Sequence, residues 1–222
     1  MPFEIHCDAV LFDLDGVLVD SAKCIETHWR QWALDHQLDP SQVLRVAQGR
    51  RTLETIQLSA PDLDAEKEAE AIEASEAVDT QGLVKIEGAA RLIQCIPLGA
   101  WAVVTSGTRA TALNRLNFGG LPVPPVLIAA EDVKFGKPDP QPYLLAAQEL
   151  GVTPARCVVV EDSPAGVQSG RNAGMGVIAV ASTHSPVELA GASVVAPRLS
   201  SITIFSYPKA ALGRWVVRVL ES

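Results

Sequence analysis

Two aspartates close to the start of the chain have a type and spacing that suit phosphoryl transfer. Asp13 lies near the end of an apolar run, residues 9–14, and Asp15 and Gly16 directly follow that run. Side chains two positions apart point the same way in an extended chain, and a glycine then allows a sharp turn. One carboxylate can attack phosphorus while the other protonates the leaving oxygen and later activates water. A turn in which Asp15 only caps the next helix would use the same residues.

Two further segments could hold a phosphate. Ser106 and Gly107 follow the apolar run 101–105, and a hydroxyl with exposed amides at a strand end suits a phosphate oxygen. Lys137 precedes Pro138 in the segment 135–140, where prolines stiffen the backbone, so that a fixed ammonium could balance the charge of the reacting groups. An ordinary helix cap and a surface lysine in a turn are the respective alternatives.

A pair of acids marks the fourth segment. Glu161 and Asp162 directly follow the apolar run 157–160. Buried carboxylates are costly unless a cation compensates them, and Mg²⁺ is a hard ion that takes carboxylate oxygens. The pair could also cap the next helix. Each of the four signals is weak alone, but together they supply a nucleophile, an acid/base, a phosphate cradle, a lysine and metal ligands.

The elements that must position these residues form an α/β pattern. Continuous apolar runs alternate with helical patterns such as residues 141–150, which predicts a parallel sheet covered on both faces; the runs are 9–14, 101–105, 126–129, 157–160 and 177–180. In such a sheet, ligands gather at the carboxyl ends of the strands. Residues 21–84 hold only helical patterns, which predicts an all-helical insertion after the first strand. Residues 202–205 and 214–219 predict an antiparallel edge hairpin.

Composition excludes several classes of function. The net charge is −8 and no basic block stands out, so nucleic acid is a poor partner. No apolar stretch could cross a bilayer and no signal-peptide pattern begins the chain, which predicts a cytoplasmic protein without a membrane partner. The four cysteines are scattered without a Cys-x-x-Cys pair, which favours buried thiols over disulfides or a zinc site. A monomer is expected for a chain of this size.

As an ordered set, the four segments resemble the motifs of the haloacid dehalogenase superfamily. The matching residues are Asp13-Leu14-Asp15-Gly16, Thr105-Ser106-Gly107, Lys137-Pro138 and Glu161-Asp162. The resemblance covers essentially the whole chain. It implies a Rossmann-like parallel-sheet core of residues 1–20 and 85–222, with a small all-helical cap of residues 21–84.

The same resemblance implies a role for each motif residue. Asp13 would be the nucleophile and Asp15 the general acid/base. The phosphoryl group would be held by Ser106, Gly107 and Lys137. Mg²⁺ would be bound by Asp13, the backbone carbonyl of Asp15 and Asp162, with Glu161 assisting either as a ligand or from beside the ligands.

The helical insertion resembles the cap of the β-phosphoglucomutase-like branch. Arg50 and Arg51 occupy the place of that branch's substrate-specificity loop, although a solvated helix start would explain them equally well. Glu87 stands before Gly88 where relatives usually carry proline, which would affect the return from the cap and not the chemistry.

Within the branch, the chain is most similar to sugar-phosphatase and glycerol-3-phosphatase members. The expected activity is Mg²⁺-dependent hydrolysis of a small phosphorylated sugar or polyol, such as a sugar phosphate, a sugar-alcohol phosphate or glycerol 3-phosphate, through an aspartyl-phosphate. A phosphosugar mutase is the alternative, but the mutase members that the chain resembles place a cap lysine in the region corresponding to residues 72–76, which hold none here. A dehalogenase, a phosphonatase and a catalytically silent phosphosugar-binding module fit the residues less well.

Overall fold

The computed structural model describes residues 2–206 and 215–220 and has an α/β architecture. The strands are β1 (Phe3–Cys7), β2 (Ala9–Phe12), β3 (Val19–Asp20), β4 (Val84–Lys85), β5 (Trp101–Val104), β6 (Val126–Ile128), β7 (Cys157–Glu161), β8 (Gly176–Val180), β9 (Val194–Ala196), β10 (Ile202–Ser206) and β11 (Trp215–Val219). The helices are α1 (Ala22–Asp35), α2 (Pro40–Ala47), α3 (Thr52–Ser59), α4 (Ala65–Glu76), α5 (Ala89–Gln94), α6 (Arg109–Gly119), α7 (Gln141–Leu150) and α8 (Pro164–Asn172).

A six-stranded parallel sheet forms the centre of the molecule, in the order β6-β5-β2-β7-β8-β9. Its two faces pack into two separate apolar cores. Along β2, Val10 and Phe12 enter one core while Ala9 and Leu11 enter the other, and all four are fully buried. Burial on both faces explains why the strands read as unbroken apolar runs. The predicted α/β fold is confirmed.

Helices α1–α4, called the cap below, have an apolar core of their own. Its members include Trp29 and Trp32, whose rings meet edge to face with centroids 5.5 Å apart. The chain enters and leaves this unit through β3 and β4, which pair antiparallel, with Val19 opposite Lys85. All four helices lie within the segment predicted to be the cap; its limits at residues 21 and 84 stay a prediction.

A second sheet joins three strands in the order β1-β11-β10. The predicted antiparallel pairing of β10 with β11 is present, with Ile204 opposite Val217. The expectation that this hairpin is an edge was wrong in one respect, because β11 lies between β10 and β1. Strands β1 and β9 were not predicted. Residues 207–214, which include Arg214 at the start of the predicted second strand, lie outside the described residues.

Two findings bear on the compositional expectations. Three of the four cysteines are buried, but Cys95 is exposed, because it follows α5 directly at the surface. Among the described residues, no helix has the length and apolarity needed to span a bilayer.

Candidate active site

The carboxyl ends of β2, β5 and β7 bring the predicted motifs together. Asp13 directly follows β2, and its backbone N–H donates to the Val160 carbonyl of β7 at 2.9 Å. The turn after it requires glycine at position 16. Gly16 has φ +75°, and a Cβ there would stand 2.0 Å from Oδ2 of Asp162. Gly16 therefore allows the loops after β2 and β7 to approach each other closely.

Lys137 joins three strand ends. Its ammonium donates to the Asp13 carboxylate, to Oε1 of Glu161 at 2.7 Å and to the Val104 carbonyl of β5 at 3.1 Å. The residue is 2% exposed, so water does not screen these interactions. Lys137 thus supplies a fixed positive charge in contact with the Asp13 carboxylate.

Glu161 is fully buried and has both oxygens occupied. Oε1 accepts hydrogen bonds from Lys137 and, at 3.0 Å, from the Tyr143 hydroxyl. Oε2 accepts from the backbone N–H groups of Asp162 and Ser163 at 2.9 and 3.0 Å, and from the Ser163 hydroxyl at 3.1 Å. Burial alone would raise the pKa of Glu161, but Lys137 and these hydrogen bonds hold it below its usual value. Glu161 is therefore an ionised anchor for the loop after β7.

Helix α8 lies so close to the Glu161 carboxylate that only glycine fits at its third residue. A Cβ on Gly166, in the first turn of α8, would stand 1.7 Å from Oε1 of Glu161. The close approach of α8 to the carboxylate thus depends on glycine at this position.

Asp13 and Asp162 are buried acids whose negative charge the protein would compensate only in part. Burial raises the pKa of Asp13 to about 8 even though Lys137 opposes the shift. Burial, with the charges of Glu161 and Asp13, also raises the pKa of Asp162 well above its usual value. Oxygens of the three carboxylates lie within 4.8 Å of one another. Three buried acids facing one lysine are a donor set that suits a divalent cation.

Asp15 is held by groups that the sequence patterns did not point to. Nη1 of Arg115, on α6, lies 2.6 Å from Oδ1 of Asp15, and the Ser21 hydroxyl donates to the same oxygen. Nη2 of Arg115 lies 3.4 Å from Oε2 of Glu76 on the cap helix α4. Arg115 is 2% exposed. A charged residue on the buried face of α6, beside Ala112 and Leu116, was the signal that could have revealed it.

The second motif contacts the cap. The Ser106 hydroxyl donates to the Gly49 carbonyl at 2.9 Å, and the Gly107 amide donates to Oγ1 of Thr105 at 3.0 Å. These residues therefore lie where the core meets the segment between α2 and α3.

The two arginines of that segment differ in position. Arg50 lines the cavity described below, whereas Arg51 does not. The Arg51 guanidinium lies 2.6 Å from Oε1 of Glu54 and donates to the carbonyls of Val133 and Lys134, each at 2.9 Å. Arg51 is thus placed as a connection between cap and core, because these carbonyls belong to the core loop before Lys137.

A cavity of about 300 Å³ lies between the cap and the strand ends. Its volume suits a small metabolite. The core side is polar, and the cap side adds apolar and acidic groups and one arginine. The core contributes Asp13, Asp15, Ser106, Gly107, Arg115, Asp162, Thr183 and His184, and the cap contributes Ile25, Glu26, Trp29, Leu44, Arg50 and Glu76. Lys137 and Glu161 lie behind this lining.

Sequence reasoning also missed the loop after β8. Thr183 donates its hydroxyl to Oδ2 of Asp162, and Nδ1 of His184 lies 3.0 Å from the Asp162 carbonyl oxygen. Nε2 of His184 lies 3.0 Å from Oε1 of Gln48 in the cap. Neither residue belongs to any of the four sequence motifs. Their position after the strand next to β7 was the available signal.

Comparison with known proteins agrees with this arrangement. A family model described as haloacid dehalogenase-like hydrolase matches residues 7–174. The chain is 40% identical over 209 residues to hexitol phosphatase A of Escherichia coli, covering 92% of this chain and 97% of the relative. It is 33% identical to glycerol-1-phosphate phosphohydrolase 2 of Saccharomyces cerevisiae, covering 93% and 88%. A hydrolase from Pseudomonas syringae superposes with a TM-score of 0.78 at 23% identity, covering 86% and 94%.

Proposed function

The chain belongs to the haloacid dehalogenase-like hydrolases and is a phosphoric monoester hydrolase, and we propose that it hydrolyses a small phosphorylated sugar or polyol with Mg²⁺ through an aspartyl-phosphate on Asp13. The observation that carries the proposal is the position of Asp13. Its carboxylate lines the cavity, contacts the buried Lys137 ammonium and shares the cavity with the second acid, Asp15.

The donor set supports a magnesium site. Asp13, Asp162 and the backbone carbonyl of Asp15 would hold the ion. Glu161 would support them from behind, since both of its oxygens already accept hydrogen bonds. When bound, Mg²⁺ would neutralise the charge of the carboxylates and of the phosphoryl oxygens. The raised pKa values of Asp13 and Asp162 favour this reading, because both groups need added positive charge to stay ionised at neutral pH.

The protein's own groups would carry two displacements. In the first, a carboxylate oxygen of Asp13 bonds to phosphorus and the bond to the alcohol oxygen breaks, while Asp15 gives that oxygen a proton. In the second, Asp15 takes a proton from water, whose oxygen bonds to phosphorus and releases Asp13. Lys137 would balance the charge on Asp13, and Arg115 would orient Asp15.

The lining favours a neutral polyhydroxy leaving group. Glu26 and Glu76 place two acids on the cap side of the cavity against one basic residue, Arg50, so the net charge there disfavours a second phosphate. Glu76 also lies at the end of the segment where the mutase alternative would need a lysine. The named substrates of the two relatives, a hexitol phosphate and a glycerol phosphate, support the same substrate class. Cytoplasmic location, a monomeric state, and the absence of nucleic-acid and membrane partners stay predictions.

Phosphate release from a panel of phosphorylated sugars and polyols tests the proposal, with and without Mg²⁺. We expect Asp13→Asn to abolish turnover while the far-UV circular dichroism and melting temperature stay close to those of the parent. Asp20→Asn, a change at the partly buried start of the cap linker, is the matched control and should retain activity. Full Mg²⁺-dependent turnover in Asp13→Asn would contradict the assignment. Isomerisation of β-glucose 1-phosphate without phosphate release would favour the mutase.

A further inference from the structure

A second group of potential metal ligands lies in the cap, apart from the three carboxylates at the strand ends. It consists of Cys24, His28 and Asp79, hereafter the cap cluster. Nε2 of His28 lies 3.0 Å from Oδ2 of Asp79, and Sγ of Cys24 lies 3.8 Å from the same oxygen. One ligand atom from each residue lies within 4.8 Å of the other two.

The three ligands come together for simple geometric reasons. Cys24 and His28 are four positions apart on α1, so they lie on the same face of the helix. Asp79 follows α4, on the segment that returns to the core. Its Oδ1 accepts the backbone N–H of Gln81 at 2.8 Å, which leaves Oδ2 directed at the thiol and the imidazole.

Further contacts fix the orientation of the cluster. Nδ1 of His28 lies 3.4 Å from the Ser75 hydroxyl, so the ring has a polar neighbour on the side away from Asp79. Metal-binding histidines commonly have such a partner on the second ring nitrogen. The Asp79 carbonyl accepts a hydrogen bond from the Asn114 side chain of α6 at 2.9 Å, which attaches the cluster to the core.

We propose that the cap cluster is a binding site for Zn²⁺ or a similar borderline transition-metal ion, distinct from the catalytic site. A tetrahedral zinc ion with sulfur, nitrogen and oxygen ligands has ligand–ligand separations of about 3.3–3.6 Å. The two separations involving Asp79 lie on either side of that range. Water would complete the coordination, since His28 and Asp79 are partly exposed.

The chemistry of the ligands separates the two sites. A thiolate and an imidazole favour zinc or cobalt, whereas carboxylates and carbonyls favour magnesium. Burial raises the pKa of Cys24 to about 11, so metal binding would release the thiol proton. An ion there would cross-link α1 to the segment after α4 and so join the two ends of the cap.

Cobalt substitution tests the site independently of catalysis. A Co²⁺–thiolate bond gives a charge-transfer absorption in the near ultraviolet, and no cysteine is among the described residues that line the cavity. We expect the metal-stripped, reduced protein to develop this band with a stoichiometry of one Co²⁺ per chain. Zn²⁺ should remove the band, whereas millimolar Mg²⁺ should leave it unchanged.

Variants assign the band to residues. Cys24→Ser should abolish it, while Cys95→Ser, at the exposed cysteine, should retain it. His28→Ala and Asp79→Asn should each raise the half-saturating Co²⁺ concentration about tenfold or more. These two partly exposed changes carry the test if Cys24→Ser fails to fold. The proposal is overturned if no band forms at saturating Co²⁺, if Mg²⁺ removes it, if Cys95→Ser abolishes it, or if Asp79→Asn leaves binding unchanged.

Discussion

Replacing Lys137 by methionine tests the electrostatics of the strand-end cluster most directly. Methionine keeps most of the volume of the side chain but removes the charge that Asp13 and Glu161 share. Removing one partner of a buried ion pair costs about 3–5 kcal/mol, because the remaining charge stays desolvated. With Lys137 only 2% exposed, solvent screening does not reduce this figure.

The loss of unfolding free energy in Lys137→Met has an upper limit that depends on pH. The variant can restore its net charge if one carboxylate takes up a proton. For Glu161, whose ordinary pKa is 4.5, this costs about 3.4 kcal/mol at pH 7 and about 0.7 kcal/mol at pH 5. In chelator-treated protein, Lys137→Met should therefore lower the free energy of unfolding by about 3 kcal/mol at pH 7 and by about 1 kcal/mol at pH 5.

Urea unfolding followed by circular dichroism at the two pH values measures both quantities. Lys67→Met, at an exposed position on α4, is the matched control and should change the free energy of unfolding by less than about 0.5 kcal/mol. A loss below 1 kcal/mol at pH 7, or an equal loss at both pH values, would refute the reasoning. The turnover rate of Lys137→Met should also fall at least about a hundredfold.

Three further outcomes follow from the same structure. Arg115→Met should lower kcat at least about tenfold, with a smaller effect on KM, because it removes the ion pair that orients Asp15. A kcat equal to that of the parent would contradict this. Arg50→Ala should raise KM, whereas Arg51→Ala should mainly lower the melting temperature, because only Arg50 lines the cavity; the reverse pattern would contradict the placement. In chelator-treated wild-type protein the free energy of unfolding should fall between pH 5 and pH 8. The pKa of Asp13 is raised to about 8 in the folded state, so the stability that its protonated form contributes is lost as the pH rises through that value. Mg²⁺ should remove this decline, and a free energy of unfolding that rises with pH would argue against the reasoning.

The central sheet was predictable because burial on both faces leaves a clear signature. Five of its six strands are continuous apolar runs, and Gly151 ends α7 at the predicted residue with φ 66°. Strand β9 was missed because it has three residues and two of them are only partly buried. Strand β1 was missed because its alternation of polar and apolar residues is satisfied by β11, a partner more than 200 positions away in the chain.

The site was predictable where chemistry and strand ends coincide. Asp13, Lys137 and Asp162 each follow an apolar run or sit beside prolines, and the structure places them together. Arg115 and His184 could not be found in this way. Their roles depend on which face of α6 is buried and on which loop follows β8, and both are set by packing between distant segments.

The pairing of β3 with β4 has a consequence for engineering the cap. The two connections between core and cap, β3 and β4, are hydrogen-bonded to each other. The N–H of Gly16, next to Asp15, donates to the Val19 carbonyl of β3 at 2.8 Å. A chimaera that receives a foreign cap should therefore keep the native pair Val19–Asp20 and Val84–Lys85 and be joined on the cap side of both. A junction placed between Gly16 and Val19 would break this hydrogen bond and so displace the neighbouring Asp15 carboxylate.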